Sequence, residues 1–194
     1  GAAQHKIRAT LLTLARSIRR PRAYVGYSAF VLMGLLKNCQ PCMWEGECFI
    51  DLLDTFAPWR KDADTKMLHV VGIPCTLVSL AGGAVACMTV SEEHPLKTIN
   101  HFVGGCHIPG TAVAADADGL EAFYAALGIT PLASILDGDC AFDVMQLMLG
   151  EKASFQGRTK LRIEIADYLI SRINCLWMHE LMARLQEVDA EDLA

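Results

Sequence analysis

The sequence predicts an α+β domain in which helices at both ends enclose one mixed, mostly antiparallel sheet. Three observations predict it. Apolar residues recur at helical spacing in the first 56 residues and again after residue 118. Between them, Met67–Val71, Thr76–Ala81, Val85–Val90 and Lys97–Val103 are short runs rich in β-branched residues, with Gly82-Gly83 as a turn signal. Hydrophobic residues make up 53% of the chain and charged residues 20%, a globular composition, and 194 residues fit a single domain over 1–194 with a real core.

In chain order, Ile7, Leu11, Leu14, Ala15 and Ile18 give a helix over 5–19, stopped by Arg20-Pro21-Arg22. A second helix is expected from Ser28, a candidate N-cap, to Lys37. Pro41 is expected to interrupt before the next element. Glu47 to Phe56 reads as a third helix, with Phe49, Ile50, Leu53 and Phe56 on one face. The strand runs follow, and Pro95 keeps its own segment out of a central strand. Helices return over Asp118–Leu127, over Cys140–Leu149 up to Gly150, from Arg158 to about Ile173, and from Cys175 to Gln186. The Gly-, Ala- and Asp-rich stretch 104–117 is the best linker candidate.

Charge and cysteine usage narrow the function classes. The net charge of −5 argues against nucleic acid as the main partner, and Arg16, Arg19, Arg20 and Arg22 read as a solvated helix end that suits the helix dipole. No apolar run reaches the ~20 residues a membrane span needs. The longest, from Ile73 to Val90, contains Pro74, Gly82 and Gly83 and reads as buried strands. With no signal-peptide core, the eight cysteines are expected reduced and the protein cytoplasmic. Cys75, Cys87 and Cys175 read as small core residues. Cys39 and Cys42 have a metal-like spacing, but no second pair completes a zinc site, so no metal and no cofactor is expected.

The stretch that bears chemistry is Asp137-Gly138-Asp139-Cys140-Ala141-Phe142. It is a tight turn leading into an apolar helix, with Cys140 at the helix start. There the N–H groups of the first turn and the positive end of the dipole favour a thiolate, and they can hold the oxyanion formed when it attacks a carbonyl. Gly138 lets the backbone approach a substrate closely. An isolated cysteine in such a place is otherwise a buried core residue.

These residues resemble the Asp-Gly-x-Cys-x-Phe signature of the ovarian-tumour (OTU) family of deubiquitinases. Arg158, Leu161, Arg162, Ile165 and Tyr168 resemble that family's Arg-rich second helix. Met43-Trp44-Glu45-Gly46-Glu47 is similar to its Trp-Gly segment, and Ile99-Asn100-His101-Phe102 to its His-aromatic pair. In the usual order both follow the cysteine; here His101 precedes Cys140 by 39 residues (140 − 101). The resemblance therefore implies a papain-like OTU fold in circularly permuted order, with residues 104–135 joining the usual termini. It also implies that the start and end of the chain lie close together.

As the resemblance implies, Cys140 is the nucleophile and His101 the general base, ahead of His107; His5 and His179 read as helix-surface residues. Asp137 is the first choice to orient the imidazole, because Val103 stands where many members carry an acidic residue or Asn. Gly138 and Asp139 form the oxyanion turn, and Trp44, Glu45 and Phe102 contact substrate. Glu45, Glu47, Asp139 and Asp143 are candidate acidic residues for a basic ubiquitin tail. The implied partner is ubiquitin or a polyubiquitin chain, acted on by a monomer. The alternatives are a catalytically impaired ubiquitin-binding module, another papain-like cysteine peptidase, and a structural module with core cysteines.

Overall fold

A computed structural model describes residues 2–23, 25–45, 48–60, 66–74, 99–107, 129–132, 139–185 and 187. The described chain is α+β. Helix α1 spans Ala2–Arg19 and α2 Tyr27–Lys37; strands β1 (Cys39–Glu45) and β2 (Cys48–Asp51) follow, then α3 (Leu52–Phe56) and a 3₁₀ turn (Pro58–Arg60). Strands β3 (Lys66–Pro74), β4 (Ile99–His107) and β5 (Ile129–Leu132) are the other described strands of the sheet. Helices α4 (Cys140–Met148), α5 (Phe155–Ser171) and α6 (Leu176–Arg184) close the described chain. The expected segments Thr76–Ala81, Val85–Val90 and Asp118–Leu127 lie outside the described residues, as do Cys75 and Cys87.

The sheet order is β2-β1-β3-β4-β5. Only β1–β3 is parallel; β1–β2, β3–β4 and β4–β5 are antiparallel. Two expectations fail at its β2 edge. Pro41 does not interrupt but lies inside β1, and Glu47–Phe56 is not one helix but β2 followed by α3. Both have one cause. β1 turns back on itself to pair Cys42–Glu45 with Cys48–Asp51, and the apolar run at Phe49-Ile50 serves this hairpin as well as it would a helix. Pro41 precedes that pairing, so its missing N–H costs no ladder bond on the β2 side. Asp51 ends β2 and caps α3, its Oδ1 accepting from Asp54 N at 3.0 Å.

Alternation along the strands sets two faces. Met43, Leu68 and Val70 are buried on one, in a single core with Phe30, Leu32 and Met33 of α2, Phe142 and Met145 of α4 and Ile165 and Leu169 of α5. Ile7, Leu11, Ala15 and Ile18 bring α1 into it at the expected spacing. Gly34 lets α2 approach β1 this closely: a Cβ there would stand 2.7 Å from Pro41 Cδ and 2.9 Å from the Cys39 carbonyl oxygen. Gly26, not Ser28, is the N-cap of α2; Ser28 is buried in the first turn and its hydroxyl hydrogen-bonds Glu187. Gly150, at φ 78°, ends α4 as its position suggested. Among the described residues no helix is long and apolar enough to cross a membrane.

Gly34→Ala should destabilise the fold by about 1–3 kcal/mol despite alanine's better helix propensity, because backbone and a proline ring cannot yield to the new methyl. Urea unfolding measures this; an unchanged or raised midpoint would show that α2 and β1 separate at little cost.

Candidate functional site

Cys140 is the first residue of α4, as its position after the Gly-containing turn suggested. Asp139 is the N-cap by position, yet its carboxylate makes no capping bond. It is buried and faces Arg162 of α5, whose Nε donates to Asp139 Oδ1 at 2.9 Å and whose Nη2 hydrogen-bonds the same oxygen. The backbone N–H of Arg22, in the α1–α2 turn, donates to that oxygen at 3.1 Å. Arg162 spends its other donors on main-chain carbonyls: Nη1 on Ile18 O at 2.8 Å and Nη2 on Ala23 O at 2.9 Å. Its guanidinium lies 4.0 Å from the centre of the Phe142 ring.

A second pair stands one helical turn away. Arg158 Nη1 donates to Asp143 Oδ1 at 2.8 Å, and Arg158 Nε lies 3.9 Å from Asp139 Oδ2. Asp139 and Asp143 are four apart on α4, Arg158 and Arg162 four apart on α5, so each pair presents one face to the other helix. Both carboxylates are therefore committed inside the protein, and neither serves as a solvated acid for a basic tail. Buried ions need such partners, because an uncompensated charge here would cost several kcal/mol. The start of α4 is thus tied to α5, to the end of α1 and to the α1–α2 turn.

Helix α4 packs against β4, the strand that carries His101. β5 runs antiparallel to β4, with Leu132 opposite Gly104, so the chain leaves β5 heading toward the His101 end of β4 before it enters α4. His101 is the third residue of β4 and pairs with Ile73. The side chains of His101, Phe102 and Glu45 lie outside the described set, as do Asp137, Gly138 and Glu47.

Trp44 stands on β1, half-buried, on the His69 side of the sheet. Its indole Nε1 donates to His69 Nδ1 at 3.2 Å, and its ring centre is 4.9 Å from that of Phe49, which is 44% exposed. So the structure groups Trp44 with His69 and Phe49 on one face of the sheet and places Cys140 at the start of α4, in the main core. Cys140 is 3% exposed. His179, expected on a helix surface, is buried, its Nε2 2.7 Å from the Ile173 carbonyl oxygen. Cys39 and Cys42 are buried thiols of β1, Cys39 Sγ lying 3.4 Å from Met33 Sδ. Among the described residues no group of three or more His, Cys, Asp or Glu is arranged to hold a metal.

Sequence reading took the four residues Asp139, Asp143, Arg158 and Arg162 for turn, channel and helix residues and missed their mutual pairing. The signal was present: an Asp pair and an Arg pair, each at i, i+4, on two consecutive helices. Compared with protein-family models, curated proteins and solved structures, the chain finds no significant match.

Asp139→Asn and Arg162→Met should each cost about 3–5 kcal/mol, the usual result of leaving one buried charge without its partner. The double substitution should cost clearly less than the sum. A denaturation double-mutant cycle measures the coupling, and strict additivity would show that the two side chains do not depend on each other.

Proposed function

We propose that the chain is a cysteine protease of the ovarian-tumour type in circularly permuted order. It would hydrolyse the isopeptide bond after the C-terminal glycine of ubiquitin or a similar modifier. The observation that carries this reading is the placement of Cys140. The cysteine of the Asp-Gly-Asp-Cys-Ala-Phe motif opens a helix whose start is pinned by buried ion pairs, and that helix packs on the strand bearing His101. The permuted order is supported by a second adjacency: Gln4, His5 and Arg8 of α1 lie beside Asn174 and His179, so the start of α1 meets the α5–α6 turn.

In this reading His101 takes the Cys140 proton and the thiolate attacks the glycine carbonyl. Main-chain N–H groups at the start of α4 hold the oxyanion. Collapse of the tetrahedral adduct breaks the C–N bond, the imidazolium returns its proton to the departing lysine amine, and water then hydrolyses the thioester. Asp137 orients the imidazole. The register of β4 sets a geometric condition on this chemistry. His101 is the third residue of β4, so the start of that strand has to meet the start of α4 for the proton to pass.

A second reading, a ubiquitin-binding module without turnover, is favoured by the 3% exposure of Cys140. Cleavage of polyubiquitin separates the two. The protease reading expects Cys140→Ala to abolish cleavage with the fold retained, and His101→Ala to lower the rate by the ~10²–10⁴-fold of a lost general base, while His107→Ala leaves it near wild type. Retained cleavage in Cys140→Ala would overturn the assignment. Ubiquitin binding with no cleavage by the wild-type chain would establish the second reading.

A further inference from the structure

Away from Cys140, three arginines lie over three aromatic rings in one continuous patch. Arg184 of α6 stands 4.9 Å from the centre of the Trp59 ring, and Arg60, the next residue, stands 5.0 Å from that of Trp177. Arg172, just past α5, lies 4.0 Å from the centre of the Tyr168 ring. The pairs adjoin because Trp59 and Arg60 are consecutive and Tyr168, Arg172 and Trp177 lie around the α5–α6 turn; Arg60 and Arg172 also both act on the Tyr168 phenol. Burial raises its pKa first, and the two guanidiniums act against that rise. Energetically significant cation–π pairs occur about once per 70–80 residues, so a chain of this length would scatter two or three over its whole surface. Here three adjoin at one end of α5, about 15 Å along that helix from Arg162.

The composition of this patch is that of a binding hot spot rather than of an ordinary solvated surface. Trp, Tyr and Arg are the residues most enriched there. Trp59, under Arg184, is 44% exposed, and Leu176, the residue before Trp177, is 66% exposed, so two large apolar side chains of these segments stand in water. None of Arg60, Arg172 and Arg184 makes an ion pair among the described residues; Arg172 Nη1 donates to the Ser171 hydroxyl at 2.6 Å. Stacking on a ring holds a guanidinium flat and leaves its N–H edge pointing outward, which is the geometry that takes a carboxylate in two parallel hydrogen bonds. Holding the arginines in place in advance also lowers the entropy cost of binding.

We propose that the surface formed by Trp59, Arg60, Arg172, Leu176, Trp177 and Arg184 docks an acidic segment of a protein partner. Carboxylates flanking an apolar side chain would meet the three guanidiniums, and the apolar group would cover Leu176 and Trp59. Charge complementarity identifies the occupant: a local triplet of cations that have no carboxylate partner among the described residues.

The test is fluorescence anisotropy on the full chain with three labelled probes. They are a peptide with Asp and Glu on both sides of a Leu-Phe pair, its counterpart with Lys in place of every acid, and a single-stranded oligothymidine of equal charge. The acidic peptide should bind in the micromolar range, more weakly as salt is raised. Arg60→Gln, Arg172→Gln and Arg184→Gln should each weaken it about three- to tenfold, with unchanged circular dichroism, and Leu176→Ser should weaken it without altering the salt dependence. Absence of binding by the acidic peptide would overturn the proposal. So would equal affinity in the variant lacking all three arginines, or oligothymidine bound as tightly as the peptide.

Discussion

The ion pair between Asp139 and Arg162 holds together parts of the chain that nothing local would bring near each other. Arg162 is fully buried, and four of its hydrogen bonds leave its own helix: two to Asp139 at the start of α4, one to Ile18 at the end of α1 and one to Ala23 in the turn that follows. A guanidinium can do this because its five donors are spread over three nitrogens in a rigid plane, whereas a lysine ammonium has three donors on a single nitrogen. The α1–α2 turn pays a local cost for joining. Arg22 takes the left-handed conformation, φ 59°, and its N–H is thereby aimed at the Asp139 carboxylate. Such a pair adds less to net stability than its geometry suggests, because both ions had to leave water. What it adds is definition: one position for the first turn of α4 relative to α1 and α5.

That definition matters for Cys140, which follows Asp139 directly. A thiol used as a nucleophile must be presented to within a fraction of an ångström, and a frayed helix start could not do so. The opposite end of the same helix is fixed as well. Gln146 Oε1 accepts from Ser154 N at 3.1 Å, and Ser154 caps α5, its hydroxyl accepting from Gly157 N at 3.0 Å. Gly157 leaves room for this arrangement: a Cβ there would fall 1.7 Å from Gln146 Nε2 and displace that side chain. Helix α4 is therefore tied at both of its ends to the first half of α5. The strand side is organised differently: Trp44, His69 and Phe49 form an aromatic group on the far face, supported by hydrogen bonds and ring contacts.

The helices were legible in the sequence because each has a broad apolar stripe and clear punctuation. Ile7, Leu11, Ala15 and Ile18 are all buried, Pro21 follows the first helix, and Gly150 ends the fourth. The β1–β2 hairpin was not legible. Its apolar residues fit a helical period by chance, and Pro41 is a strand breaker that this strand tolerates because one of its edges has no partner at that point. Cys140 at a helix start followed from the turn before it. The buried role of Asp139 and Asp143 did not, because charged residues are read first as surface. Only pairing the two aspartates with the two arginines, four residues apart on successive helices, would have shown that they neutralise each other. His179 misled for a related reason: a polar residue among apolar ones was taken as exposed, whereas its ring nitrogen reaches a main-chain carbonyl inside the fold.

The account rests on Cys140 acting as a nucleophile toward the C-terminus of ubiquitin from a helix start that the buried ion pairs hold in place. Ubiquitin bearing an alkyne in place of its last carboxylate reacts only with a thiol that its tail delivers to the warhead. Intact-mass measurement followed by peptide mapping reads the product directly. The account predicts one adduct per chain, carried by Cys140 and absent from Cys140→Ala. No adduct, or an adduct carried by any other cysteine, would contradict it.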